Sequence, residues 1–144
     1  MASRPHGIEI QGNAGTILRS ADATAFDAVA FTHRKIRLNH PKLVRASMGS
    51  VLHIPIVDAP VEELIPWLEK HGIRIVLADT DHAVDYAEYD YPEKTCLVVG
   101  SEKYGIYKPW YEVSHDTIAI PMKGTVDSLN VAIAATVLMY QSII

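Results

Sequence analysis

A chain of 144 residues is long enough for one domain with a sizeable core and too short for two comfortable ones. Its 49% apolar and 21% charged composition excludes disorder, and the longest near-continuous apolar stretch, 131–140, is too short to span a membrane, which takes roughly 20 residues. The formal net charge of −4 argues against a nucleic-acid partner, yet residues 1–50 hold seven basic and three acidic side chains while 51–144 hold six and fourteen. Such asymmetry marks either a basic face for a polyanion or a solvated loop that happens to be basic. The single cysteine, Cys96, excludes an internal disulfide and a cysteine-based zinc site. With no apolar signal segment in the first residues, the expected compartment is the reducing cytoplasm.

In chain order, residues 8–10 read as a short strand, and Gly12-Asn13-Ala14-Gly15 as a turn. The spacing of Ile17, Leu18 and Ala21 predicts a helix over 16–25. Residues 28–31 form a brief apolar strand, 32–40 a basic loop, and 41–48 a short helix with Pro41 at its first position. A strand over 53–57 leads to an amphipathic helix over 60–71, with Val61, Leu64, Ile65 and Leu68 on one face and Gly72 as its stop. Residues 73–78 are β-branched and extended, 79–93 an acidic loop with room for a short helix, and 95–99 a fully apolar strand. A strand over 117–120, a loop over 121–125 and a long apolar helix over 128–143 complete the chain.

Continuous apolar strands alternating with helices predict an α/β fold, a mostly parallel sheet with helices on both faces. Without repeats or linkers, residues 1–144 read as a single domain. Ligands of such sheets sit beyond the carboxyl ends of the strands.

Three segments carry candidate chemistry. In Gly12-Asn13-Ala14-Gly15-Thr16-Ile17-Leu18-Arg19, two glycines admit close backbone approach at a helix start, and Arg19 lies one turn in; a plain turn with a surface arginine is the simpler account. Val99-Gly100 ends a buried strand and puts Glu102 at the rim of any pocket there, although a strand followed by glycine and an acid is a common pattern. From Ile120 to Val131 a strand ends, Gly124 turns the loop, and Ser128-Leu129-Asn130 opens the last helix. Asp127 or Ser128 serves as the helix N-cap, which leaves Asn130 as a polar group in need of a partner. The seven histidines show no metal-ligand spacing, so no metal is expected. G-x-S-x-G, G-x-G-x-x-G and P-loop patterns are all absent.

Together, the three segments resemble the motifs of the SpoU/TrmH family of RNA ribose 2′-O-methyltransferases, within the SPOUT superfamily. N-x-G-x-x-x-R is matched by Asn13, Gly15 and Arg19, and a strand followed by G-x-E-x-x-G by Gly100, Glu102 and Gly105. I-P-M-x-G-x-x-x-S-L-N-V is matched without a gap from Ile120 to Val131 and is the most specific of the three. The resemblance runs from about residue 8 to the C-terminus and includes the stretch 41–50 between the first two motifs.

The resemblance implies a SPOUT fold with a deep C-terminal trefoil knot, a rare feature. It also implies a homodimer whose active sites use both subunits, with S-adenosyl-L-methionine bound at the knot. By position, the cofactor contacts would be Leu77, Ala78, Gly100, Ile120, Met122, Leu129, Asn130 and Val131, and the catalytic group Arg19 with Asn13, Glu102, Ser128 and Asn130. The reaction would be methylation of a ribose 2′-hydroxyl in tRNA or rRNA. An ordinary arginine has a pKa of roughly 12.5–13.8, so Arg19 is either the base or the group that holds a phosphate and orients the hydroxyl. The basic residues Arg34, Lys35, Arg37, Lys42 and Arg45 become the expected RNA-binding edge.

Two departures stand out: the strand before the first motif is short, and the N-terminal RNA-binding domain that many family members carry is not expected here. Family members usually carry a full hydrophobic strand ending D-P-x-N before the first motif, where this chain has only Ile8-Glu9-Ile10 and then Gln11-Gly12. The expectation is a shortened first strand or a fragment of a longer methyltransferase, with no separate RNA-binding domain. A non-catalytic knotted module for RNA binding or dimerisation, and a small-molecule methyltransferase on the same fold, are the competing functions.

Overall fold

The structure, a computed structural model, describes residues 11–32, 54–80, 82–100 and 105–144, with backbone alone at 11–14 and 58. The strand expected at 8–10, the basic loop beyond residue 32 and the helix expected at 41–48 lie outside the described residues.

Helix α1 (Gln11–Ala23) buries Ile17, Leu18 and Ala21, as their spacing requires. It begins five residues before the expected start at residue 16, so the expected turn at 12–15 is helical. Gly15 lies buried there, and packing of the apolar face outweighs a glycine cost of about 1 kcal/mol in a helix. The helix ends early because Ala25 turns left-handed (φ 59°), with Phe26 N–H bonded to the Ala21 carbonyl and Ala25 N–H to that of Asp22. That is a Schellman closure with alanine where glycine is favoured.

Strand β1 (Val29–Phe31) pairs in parallel with β2 (Ile56–Asp58). Helix α2 (Val61–Lys70) buries Val61, Leu64, Ile65 and Leu68 and stops where Gly72 takes φ +67°. Then follow β3 (Arg74–Ala78), the two-residue β4 (Val84–Asp85), β5 (Thr95–Val98), a 3₁₀ turn (Lys108–Glu112), β6 (Asp116–Ala119) and helix α3 (Val131–Ser142). The order β4-β6-β3-β5 forms a four-stranded, wholly parallel sheet. The described residues of the acidic segment hold β4 and turns rather than a helix.

Both faces of this sheet are covered, because alternate residues of its central strands enter different cores. Val76, Leu97, Val99 and Ile118 pack with α1 and α3, while Ile75, Leu77, Cys96 and Val98 pack with α2 and Trp110 of the 3₁₀ turn. That is why β3 and β5 read as continuous apolar runs. Helix α1 lies against α3, and Ser20 and Thr136 share a hydrogen bond of 2.6 Å across the contact.

Candidate functional site

The described residues enclose a cavity of about 470 Å³ beyond the carboxyl ends of β3, β5 and β6, on the α3 side of the sheet. Separate stretches wall it: 78–80 after β3, Val99-Gly100 and Gly105-Ile106 around the end of β5, Tyr111 of the 3₁₀ turn, and positions between 118 and 138 from β6 into α3. This is the place where the chain crossings of a parallel sheet leave room for a ligand.

Of the residues expected at a cofactor site, Ala78, Gly100, Ile120, Met122, Leu129 and Val131 line the cavity, as does Ser128. Leu77 does not, because strand alternation turns its fully buried side chain towards α2. Asn130 does not line it either. It is the N-cap of α3, its Oδ1 accepting from the backbone N–H of Ala132 at 2.9 Å and of Ile133 at 3.4 Å. The capping role expected of Asp127 or Ser128 therefore falls to Asn130, which answers its need for a polar partner. Arg19 is exposed on α1 and is not among the lining residues. Asn13 lies in the first turn of α1, and Glu102, Arg34, Lys35, Arg37, Lys42 and Arg45 lie outside the described residues.

Gly100 is needed for close packing within the chain. A Cβ at this position would stand 2.3 Å from the Gly105 carbonyl carbon and 2.5 Å from the Ile106 nitrogen. By position this glycine is an expected cofactor contact, and here it also lets the 105–106 segment lie against the strand end, so that both form one wall.

Sequence reasoning missed Asp79, Thr80 and Tyr111, which also line the cavity. Tyr111 donates its hydroxyl to Asp79 Oδ2 at 2.5 Å, and Asp79 Oδ1 accepts the Thr80 N–H at 2.7 Å. Asp79 was within reach, since it directly follows a buried strand. Tyr111 was not, because the 3₁₀ turn carries no periodic signal. Among the described lining residues the charged side chains are Asp79 and Asp127; the rest of the wall is mostly apolar, from Val99, Ile118, Ile120, Leu129, Val131 and Leu138. An apolar cleft with two carboxylates suits an organic cation better than a phosphate-bearing anion.

The fold and this strand-end cavity define an α/β protein with a ligand site at the carboxyl edge of a parallel sheet. Residues 6–140 match the model of the SpoU rRNA Methylase family, and the chain belongs to that family. It is 36% identical over 138 residues to a 23S rRNA (uridine(2479)-2′-O)-methyltransferase of Streptomyces viridochromogenes, covering 92% of this chain and 48% of the relative. It is 31% identical over 133 residues to the 23S rRNA (guanosine(2553)-2′-O)-methyltransferase RlmP of Bacillus subtilis, covering 92% and 54%. Among solved structures, an AdoMet-bound rRNA methyltransferase from Sinorhizobium meliloti superposes with a TM-score of 0.89 at 32% identity, over 98% of this chain and 54% of the other. The chain thus spans about half the length of the curated relatives it matches.

Proposed function

We propose that this chain is the catalytic part of an S-adenosyl-L-methionine-dependent methyltransferase acting on a ribose 2′-hydroxyl of rRNA or tRNA, in the cytoplasm. The observation that carries the reading is the convergence of the strand-end loops on one cavity whose described charged groups, Asp79 and Asp127, are both anionic. The cofactor's sulfonium and ammonium are cationic and its adenosine is flat and largely apolar, so it fits this wall. The volume, about 470 Å³, lies within the usual range for a small-molecule site. The names of the relatives supply the substrate class.

The reading extends to a deep trefoil knot formed by the segment from β6 through α3, and to a homodimer. Support for the knot is the similarity to the solved structures over nearly the whole chain. Support for the dimer is the position of Arg19. It stands exposed on α1 and outside its own chain's cavity, as expected where two subunits build one active site.

When bound, the cofactor supplies a methyl group already activated by its sulfonium. The remaining tasks are positioning and proton handling. Arg19 holds the RNA phosphate and orients the 2′-hydroxyl with its planar fork of donors. Ser128, in the cavity wall, is placed to accept or pass a proton at the hydroxyl, with Asn13 and Glu102 completing the group. Asn130 acts by fixing the start of α3, and Ala78, Gly100, Ile120, Met122, Leu129 and Val131 hold the adenosyl group in a dry cleft. Arg34, Lys35, Arg37, Lys42 and Arg45 supply the sequence-independent attraction to the RNA backbone.

Calorimetric titration with S-adenosyl-L-methionine, beside a methyl-transfer assay on RNA, tests this. The chain should bind the cofactor, and Arg19→Ala should abolish transfer with binding nearly intact. Turnover near the parent rate would remove Arg19 from the site, and absence of cofactor binding would favour a non-catalytic RNA-binding or dimerisation module.

A further inference from the structure

We propose that Asp79 binds the ribose hydroxyl pair of the adenosyl group, and that Tyr111 is the positioning residue that aims its carboxylate. This rests on reading the cavity as the S-adenosyl-L-methionine site.

Asp79 is held from three directions. Its backbone N–H donates to the Ile118 carbonyl at 3.0 Å, which ties it to β6. One carboxylate oxygen accepts the Thr80 N–H and the other accepts the Tyr111 hydroxyl, so its own turn and the 3₁₀ segment fix the orientation of the group. A carboxylate offers about four acceptor positions, and these two bonds leave capacity on a residue that lines the cavity.

The Tyr111 contact also shows what this carboxylate accepts. It is a hydroxyl O–H donating to a carboxylate oxygen. A sugar hydroxyl is the same type of donor. An acidic side chain beside the crevice of a parallel α/β sheet meets ribose hydroxyls in dinucleotide folds for the same chemical reason: it is an acceptor where the ligand's donors lie in a mostly apolar setting. Asp127, the other anion of the wall, is exposed on the loop before α3 and carries no described hydroxyl contact.

The test compares binding of S-adenosylhomocysteine with that of its 2′-deoxy and 3′-deoxy adenosyl analogues, by calorimetry, in the full chain. The parent protein should prefer the complete ribose by roughly 10- to 100-fold, the worth of a hydrogen bond to a charged group. Asp79→Ala should bring that preference to within about threefold, and the isosteric Asp79→Asn should retain part of it. Tyr111→Phe leaves the carboxylate in place but unaimed, and should lower the preference severalfold without a comparable loss for the deoxy ligands. A purely structural role would weaken all three ligands alike. Full discrimination in both Asp79 variants would overturn the assignment while leaving the cofactor site intact. No binding of S-adenosylhomocysteine by the parent protein would overturn the site itself, and the assignment with it.

Discussion

Arg74 grips Asp116 with a two-bonded fork at the amino-terminal ends of β3 and β6, Nη2 to Oδ1 at 2.7 Å and Nε to Oδ2 at 3.0 Å. The remaining guanidinium nitrogen reaches Ser114 Oγ at 2.8 Å, and the Tyr89 hydroxyl donates to Asp116 Oδ2 at 2.6 Å. The cluster lies at the end of the sheet opposite the cavity, so its contribution is to the fold. The hydrogen bond from Arg74 holds Asp116 down at about 2, with a smaller contribution from Tyr89. Burial raises the Tyr89 phenol, and its bond to Asp116 raises it further. A depressed carboxylate stabilises the fold above its ordinary pKa, near 3.8, and loses that contribution as pH falls towards 2. The pair is about one-third exposed, so solvent screening limits its worth to about 1 kcal/mol. Asp116→Asn should therefore be less stable than the parent by that amount at pH 7, and the two should converge near pH 2. Denaturant titrations across this range measure it, and a gap independent of pH would contradict it.

Asn130 stands at the start of α3, where its Oδ1 satisfies two otherwise unpaired N–H groups. Replacement by alanine should cost about 1 kcal/mol of stability, and replacement by serine or aspartate, which also cap, should restore most of it. If Asn130→Ala lost methyl transfer at full stability while Asn130→Asp did not regain it, the side chain would act on the substrate as well as on the helix.

Much of this architecture could be read from the chain. Val61, Leu64, Ile65 and Leu68 announced α2 because one buried face imposes a 3.6-residue period. The apolar runs at Ile75–Leu77 and Cys96–Val99 announced a sheet covered on both sides, since no face of it needs to be polar. The cavity was legible as the carboxyl end of those strands. Reading failed where a local signal met a tertiary competitor. Gly12 and Gly15 signal a turn, yet burial of Ile17 and Leu18 against α3 carries the helix through them. Asp127 and Ser128 are good caps by type, but the chain enters helical geometry only after Asn130. Leu77 adjoins Ala78 in sequence and faces the other core, an outcome fixed by strand register alone. The Asp79–Tyr111 bond joins positions 32 apart, and no sequence periodicity connects them.

Gly100 and Gly124 make a paired test of the cavity wall. Alanine at 100 would collide with the backbone of Gly105 and Ile106, whereas alanine at 124 meets nothing within 4 Å. Gly100→Ala should destabilise by about 1–3 kcal/mol, the usual cost of overpacking. It should also weaken cofactor binding by at least tenfold, because the segment that must move lines the cavity. Gly124→Ala should alter neither quantity appreciably. Equal behaviour of the two variants in calorimetry and thermal melting would mean that the 105–106 segment yields freely and does not shape the site.

The outer side of α3 bears on assembly. Ile133 is 53% exposed, Tyr140 48% and Ile144 95%, and they lie with Val137 at positions i, i+4, i+7 and i+11, a single stripe along the helix and its end. The opposite side buries Val131, Ala135, Leu138 and Met139, so this helix is apolar around most of its circumference. Helices of that kind are ordinarily buried all round. In a twofold dimer the same residue meets the interface from both subunits, so one substitution introduces two charges. Ile133→Glu should convert a dimer to a monomer in light scattering. On the proposed dimer, methyl transfer should fall with it while S-adenosyl-L-methionine still binds, because Arg19 is there proposed to act in a second copy's cavity. A variant that remained dimeric and fully active would place the contact between subunits elsewhere.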